Sequence, residues 1–191
     1  LGVGALGGGL VTGVDNIAIG QSALAVSGND ADNNIAIGKL AMGATDVSGA
    51  NNIAIGTNAL DALQGGDCNI AMGINALGAA TTGYKNVAIG RTALGTSTTG
   101  CDNIAIGDTA GGPLVKSGSN DACSNIMIGQ NAADALTCGY NNIAIGINAY
   151  GVAAAGQNNV AMGKDALGGA TTGYENIAIG TAASASTSGY E

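Results

Sequence analysis

Short apolar segments recur along this chain at nearly constant intervals, and each one begins directly after an asparagine. Successive asparagines of this kind lie 17 or 18 residues apart, with a single spacing of 22. The first and third positions after each asparagine hold Ile, Val or Met, the second holds Ala except at Met127, and the fourth is always Gly. The asparagines are Asn16, Asn34, Asn52, Asn69, Asn86, Asn103, Asn125, Asn142, Asn159 and Asn176. Because self-similarity at a fixed period marks a repeat architecture, we interpret residues 1–191 as a single repeat array.

The repeating unit predicts a β-solenoid. Its apolar segment is rich in β-branched residues and is bounded by Asn and Gly, as is typical of a short strand, whereas helical repeats need about 33 residues and tolerate less Gly. We therefore predict an all-β fold, a parallel β-solenoid of about eleven 17-residue coils. Each coil is expected to hold one strand after the asparagine and a second, shorter strand at the seventh and eighth positions. At about 4.8 Å per coil, the rod would be about 50 Å long.

The register of the repeat continues past both ends of the array. Gly2, Ala5 and Leu6 fit the tail of an earlier copy, and Gly189 precedes the place where a further asparagine is expected. We therefore expect the array to be truncated at both ends.

Both faces of each predicted strand are apolar. Ile17 and Ile19 point to one face and Ala18 to the other, whereas a strand with one wet face would alternate apolar with polar residues. Two arrangements are open. Either Ala18 and Ala23 face each other inside a narrow coil and the Ile columns point outwards, or the Ile columns fill the coil and the Ala face is bare. Either way a long apolar stripe needs cover, which identical chains about a common axis would provide.

We favour the first arrangement, because opposed alanines suit closely spaced sheets and isoleucine gives an oligomer a larger core. The predicted scaffold residues are Ile17, Ala18, Ile19, Ala23, Asn86, Val87, Ile89, Ile104, Ile106, Ile177 and Ile179. The asparagine column is interpreted as structural, because Asn can satisfy its own backbone at a turn and stacked Asn side chains bond from coil to coil.

The run NxAIGxxAL, with its Gly turns, resembles the YadA-like head repeat of trimeric autotransporter adhesins, and the longer form with TTG resembles repeats of phage tail fibres. The resemblance extends over all ten copies. It implies a left-handed parallel β-roll in which three chains pack side by side, displayed outside a cell or on a virion, where it binds a surface. The unit is longer than the family's short repeat, which implies a longer outer turn. The family's stalk, neck and membrane anchor are absent from this sequence.

Charge narrows the choice of partners. Five Lys and Arg against thirteen Asp and Glu give a net charge of −8, which repels phosphate backbones and anionic membranes. Nucleic acid is therefore not an expected partner. No apolar run approaches the roughly 18 residues of a membrane helix, so no membrane span is expected in this segment.

The chemistry of the side chains argues against an enzyme. The chain has no His, and no nucleophile and base are paired at a recognisable spacing. Asp15, Asp32, Asp67 and Asp102 line up as turn residues, without the spacing of a calcium loop or of paired catalytic carboxylates. With no CxxC pair either, no zinc site is expected. We predict no catalytic residue, no cofactor and no metal site.

The four cysteines raise the question of a disulfide. Cys101 and Cys123 both lie two residues before an asparagine, so they share one column on neighbouring coils, at a separation that a disulfide tolerates. Cys68 and Cys138 fall in other columns. Four separate thiols are the default expectation, and a bridge between Cys101 and Cys123 is the alternative.

Tyrosines share the column of Cys101. They are Tyr84, Tyr140, Tyr174 and Tyr190. Exposed tyrosine at a regular site can stack on sugar rings or on a partner protein, which makes Tyr84 and Tyr174 candidate contacts. Alternatively, these rings cover the apolar edge of a turn.

The coil after Asn103 is five residues longer than its neighbours and contains the only proline. Insertions leave a solenoid as loops, and loops on rigid scaffolds often carry binding sites. The candidate contacts here are Lys116, Ser117, Asn120 and Asp121. The alternative is an insertion that is tolerated without a role.

Three functional hypotheses follow. The first is a non-enzymatic fibre segment, a homotrimeric β-roll of a viral tail fibre or cell-surface adhesin, which gives rigid reach and attaches to a receptor or glycan at the cell surface. The second is a subunit of a self-assembling extracellular filament, joined through unpaired terminal strands. The third is an ice-binding solenoid, suggested by the threonine pairs at 81–82, 98–99 and 171–172 but interrupted elsewhere by Gln64 and Gly65.

Overall fold

The strands of this protein are short, and each pairs with its neighbours in parallel. A computed structural model describes residues 2–7, 13–25, 31–43, 46–114, 122–152, 155–169 and 173–183. Throughout these ranges the fold is all-β, with twelve strands and no helix. The strands are β1 (Ile17–Ile19), β2 (Ile35–Ile37), β3 (Ile53–Ile55), β4 (Ile70–Met72), β5 (Val87–Ile89), β6 (Ile104–Ile106), β7 (Ile126–Ile128), β8 (Cys138–Tyr140), β9 (Ile143–Ile145), β10 (Ala155–Gln157), β11 (Val160–Met162) and β12 (Ile177–Ile179).

Ten of these strands form one parallel sheet, in the order β1-β2-β3-β4-β5-β6-β7-β9-β11-β12. Each strand pairs in register with the equivalent strand of the next coil, so that Ile17 lies opposite Ile35 and Ala18 opposite Ala36. The long coil does not disturb this register, because Ile104 still pairs with Ile126. The predicted parallel β-solenoid with a unit of about 17 residues is confirmed.

The core of the solenoid is made of small side chains. The central residue of each strand in the ten-stranded sheet points inwards. It is Met127 in β7 and alanine in the other nine strands, and Ala36, Ala54 and Ala88 are fully buried. Ala23 and Leu24, at the seventh and eighth positions of the first coil, are buried against this column. The isoleucines on either side point outwards. This is the first of the two arrangements considered above, with alanine inside a narrow coil and isoleucine outside.

The second strand was expected at the wrong place. The seventh and eighth positions form turns, in which the sixth and eighth residues have left-handed backbone, as at Asn58 (φ 56°) and Leu60 (φ 51°). This conformation is incompatible with a strand. The turn still bonds between coils, because the Leu60 N–H donates to the Ala76 carbonyl (3.1 Å) and the Asn58 N–H to the Lys39 carbonyl (3.0 Å). The alternation of left-handed and right-handed backbone thus bends the chain, while the backbone N–H groups of the turn donate to carbonyls of the preceding and the following coil.

The second set of strand pairings lies just before the asparagine. Strand β8 pairs with β10, joining Cys138 to Ala155 and Tyr140 to Gln157. Single bridges extend the same column, from Tyr84 to Cys101, from Cys101 to Cys123 and from Gln157 to Tyr174. Each coil is therefore held by a continuous sheet after the asparagine and a broken one before it.

The asparagine column forms a buried ladder of hydrogen bonds. Asn86 accepts at Oδ1 from both the backbone N–H and the Nδ2 of Asn103, each at 3.1 Å. Its own Nδ2 donates to Asn69 Oδ1 (3.1 Å) and to the Gly100 carbonyl (2.8 Å). The same bonding recurs as far as Asn176 and Asn159. Because the amides from Asn52 to Asn159 are saturated by protein groups, the predicted structural role of this column is confirmed.

Candidate functional site

An exposed apolar face, which we call the isoleucine face, runs along the ten-stranded sheet. It consists of the first and third residues of each strand in the ten-stranded sheet. In the middle of the rod Ile104 and Ile106 are 36% and 37% exposed, and near its start Ile17 and Ile19 are 49% and 48% exposed. Nine coil steps make this face roughly 43 Å long. Contiguous apolar surface of this extent is rare on a monomer and marks an interaction surface.

The predicted scaffold residues divide between the two sides of this sheet. Ala18, Ala23 and Asn86 are buried within the chain. Val87 is half-buried on the isoleucine face. The exposed members of the predicted set are Ile17, Ile19, Ile89, Ile104, Ile106, Ile177 and Ile179. The prediction that the isoleucines point out of the coil is confirmed.

The predicted tyrosine contacts lie on one column but do not form one site. Tyr84 and Tyr174 are 42% and 52% exposed. Five coil steps separate them, about 24 Å at the usual strand spacing, with half-buried Tyr140 and Gln157 among the residues between. The Lys85 ammonium lies 5.9 Å from the centre of the Tyr84 ring. Each ring is accessible, but a ligand would have to be extended to contact both.

The predicted contacts in the long coil, Lys116, Ser117, Asn120 and Asp121, lie outside the described residues. The points where the insertion leaves and rejoins the coil are described, and both are buried, at Leu114 and Ala122. The Leu114 carbonyl accepts from the Thr98 N–H (3.2 Å) and the Ala122 carbonyl from the Cys101 N–H (3.4 Å). The insertion therefore starts and ends on positions fixed by the solenoid.

A disulfide joins Cys101 to Cys123, so the default expectation of four separate thiols is wrong and its alternative is correct. The two Cα atoms lie 4.6 Å apart. In-register stacking produces this separation, because residues of one column on neighbouring coils are as far apart as paired strands. The bridge closes a loop of sequence separation 22 that contains the insertion. Cys68 is exposed and Cys138 half-buried, and both lie outside this disulfide.

A groove, which we call the furrow, runs along the corner of the rod beside the left-handed turns. It comprises a cavity of about 470 Å³ and a neighbouring one of about 210 Å³, and Asp134 lines both. One wall is the sixth position of five successive coils. The lining residues are Thr92, Thr96, Thr109, Gly111, Gly112, Asn131, Asp134, Asn148, Gly151, Val152, Asp165, Gly168 and Gly169.

The wall of the furrow is a second hydrogen-bonded ladder. Thr109 Oγ1 donates to Asn131 Oδ1 (2.6 Å), Asn131 Nδ2 donates to Asn148 Oδ1 (3.2 Å), and Asn148 Nδ2 donates to Asp165 Oδ1 (3.1 Å). The other carboxylate oxygen of Asp165 lies 3.5 Å from Lys164 Nζ. Partial burial raises the pKa of Asp134 above its usual range, although backbone hydrogen bonds act against this shift. Unlike the asparagine ladder of the core, this one is open to solvent along one side.

Sequence reasoning missed the furrow, although a signal was present. The ninth position after the asparagine is glycine in six copies and aspartate in two, at Asp61 and Asp134. A column without side chains beside a column of Asn, Thr and Asp leaves a polar groove along a solenoid.

Within the ranges that the structure describes, no group of three or more His, Cys, Asp or Glu side chains is placed to hold a metal ion. Across those same ranges no helix is long and apolar enough to cross a bilayer. Thr81, in one of the threonine pairs, is half-buried, and its hydroxyl donates to the Thr98 carbonyl (3.3 Å).

Comparisons with protein families, with curated proteins and with solved structures find no match for this chain.

Proposed function

We propose that this chain is a segment of a homotrimeric fibre, a β-roll of a viral tail fibre or cell-surface adhesin that gives rigid reach and attaches to a host or other surface. The observation that carries the proposal is the isoleucine face, which extends over all ten strands of the sheet while the chain's own core is filled by alanine and leucine. Such a protein acts outside the cell or on a virion and needs no catalysis.

Identical chains are the best cover for this face. Its two apolar columns repeat at the strand spacing, and a second copy carries the same columns at the same spacing. Copies placed side by side in parallel can therefore interdigitate along the whole length of the rod, around a common axis. The number three comes from the resemblance to trimeric adhesin heads rather than from the geometry of one chain.

The test is the mass of the protein in solution and its response to charge on the isoleucine face. We expect a trimer by native mass spectrometry at low micromolar concentration. Ile104→Asp combined with Ile106→Asp should dissociate it, because burying unpaired carboxylates in an apolar interface costs several kcal/mol. The matched control is Ile74→Asp with Ile147→Asp, which places the same substitutions at exposed isoleucines outside the face (53% and 47% exposed).

Each outcome separates the hypotheses. A wild-type protein that stays monomeric would contradict the proposal, as would a charged double variant that keeps the trimer mass. Assemblies whose length grows with concentration would favour the filament alternative. Dissociation of the control variant would show that the contact lies on another side of the rod.

A further inference from the structure

We propose that the furrow binds an extended, uncharged glycan. This inference rests on the proposed attachment function and assigns a ligand class to it. The furrow has what a site for such a ligand needs: an elongated concavity, polar side chains supplied by successive coils, and a few apolar groups, of which Val152 is 49% exposed. Concave surfaces with a small number of convergent polar groups are the usual place for ligands of this kind.

The wall of the furrow matches hydroxyl groups. A primary amide offers two N–H donors and an oxygen with two lone pairs. Within the ladder, Asn148 donates one N–H to Asp165 and accepts one hydrogen bond from Asn131. Each such residue therefore keeps one donor and one acceptor for a ligand, and a sugar ring with neighbouring hydroxyls can engage both. The bonds within the ladder hold the amides in place, so less side-chain entropy is lost on binding.

The length of the furrow and the repeated polar residues of its wall favour an extended glycan chain over a small molecule. The wall runs from Thr92 to Asp165 across five coils, which is about 19 Å at the strand spacing. Several sugar rings fit in that length. Every step carries a polar side chain with a hydroxyl, amide or carboxylate group, so a polymer with repeated hydroxyl groups would make repeated contacts.

Charge determines which glycans are accepted. Asp134 and Asp165 both line the larger cavity, and the Lys164 ammonium lies 3.5 Å from the Asp165 carboxylate. The chain as a whole carries a net charge of −8. Sulfated, phosphorylated or sialylated chains would be repelled. Neutral chains of hexose or N-acetylhexosamine would not be.

The experiment uses the full chain and four soluble hexasaccharides as probes: a β-1,4-glucan, an α-1,4-glucan, a β-1,4-linked N-acetylglucosamine chain and a heparin fragment. Binding is measured by calorimetry, with melting temperature and native mass recorded for each protein. Asn148→Ala removes a wall residue, and Asn58→Ala is its matched control. Both residues are half-buried at the sixth position with nearly the same backbone (φ 53° and 56°), but Asn58 lies outside the furrow lining.

We expect at least one neutral hexasaccharide to bind, the heparin fragment not to bind, and Asn148→Ala to weaken binding about fivefold to tenfold, as the loss of one or two hydrogen bonds would. Asn58→Ala should bind like the wild type. Binding to none of the three neutral probes, equal binding of heparin, or equal effects of the two variants would overturn the inference. A trimer that binds no glycan contradicts only this inference, whereas a monomer that binds glycan contradicts only the proposed assembly.

Discussion

Tyr150 occupies a position at which most coils carry leucine or methionine, and it is the largest fully buried side chain of the described core. Its hydroxyl accepts a hydrogen bond from Asn159 Nδ2 (3.0 Å) and so joins the buried asparagine ladder. Space for the hydroxyl comes from Gly156, where a Cβ would overlap it. The substitution is accommodated because the phenol reaches a polar partner at the edge of an otherwise apolar core.

The buried phenol of Tyr150 predicts a loss of stability in alkaline solution. Burial raises its pKa from 10.0 to about 12, with the Asn159 hydrogen bond acting against the shift. Below pH 10 the phenol is neutral in both the folded and the unfolded state, so ionisation of Tyr150 does not lower the free energy of unfolding there. Between about pH 10 and 12 only the unfolded state loses its proton. The free energy of unfolding should therefore fall by about 1–2 kcal/mol across this window, as measured by urea denaturation.

Tyr150→Phe should lose about 1 kcal/mol at neutral pH with the hydrogen bond and should lack this part of the alkaline decline. The control is Tyr84→Phe, an exposed tyrosine, which should keep the decline. An identical alkaline slope in wild type and Tyr150→Phe would show that Tyr150 does not titrate with unfolding.

At the scale of the element, the glycine that ends each strand is required for two reasons. Gly90 has a φ of 138°, a region that residues with a Cβ rarely adopt. A Cβ at this position would also overlap the carbonyl oxygen of Gly107 in the next coil. The same geometry recurs along the column, so close stacking of the coils depends on it.

Gly90→Ala should lower the free energy of unfolding by roughly 2–4 kcal/mol, because left-handed strain and a backbone collision add together. Gly65→Ala is the matched control, since a Cβ there would meet only Ser48 Oγ, at 3.8 Å, and the residue is exposed. That change should be neutral or mildly stabilising. Thermal unfolding followed by circular dichroism distinguishes the two. Equal losses of stability would contradict this account of the glycine column.

The elements that follow from hydrophobic pattern alone are the strands after each asparagine. Their spacing, faces and parallel register were predictable, because β-branched residues alternate with alanine at a fixed period. The turn that contains Leu60 was not predictable, since its Ala-Leu pair has the composition of a strand. Leucine rarely adopts left-handed backbone, and only stacking between coils, which satisfies its amide at 3.1 Å, makes that conformation favourable here.

At the scale of the whole molecule, the chain behaves as a one-dimensional array in which each coil contacts its two neighbours. The long coil is the place where this regularity is interrupted, and the disulfide between Cys101 and Cys123 spans it. From the sequence, these two cysteines lie in one column. Only their distance in space decides between a disulfide and free thiols. The furrow likewise appears only when columns of neighbouring coils are assembled side by side.

Reduction of the disulfide should destabilise the array at this point. Closing a loop of sequence separation 22 stabilises a protein by about 3 kcal/mol in the chain-entropy description. Oxidised protein should therefore unfold at a higher urea concentration than protein in excess reductant. Cys101→Ser with Cys123→Ser should match the reduced protein and should not respond to reductant. A wild-type protein that is insensitive to reductant would contradict the bridge.

The asparagine ladder gives the rod a net dipole along its axis. From Asn176 back to Asn52, each Nδ2 donates to the Oδ1 of the preceding asparagine in the column. The amide dipoles therefore align head to tail, as peptide dipoles do in a helix, with the positive end towards Asn16 and the negative end towards Asn176. Bonds in such a chain polarise one another. Chains that pack in parallel would add their dipoles, so an assembled fibre would orient in an electric field with a defined sense.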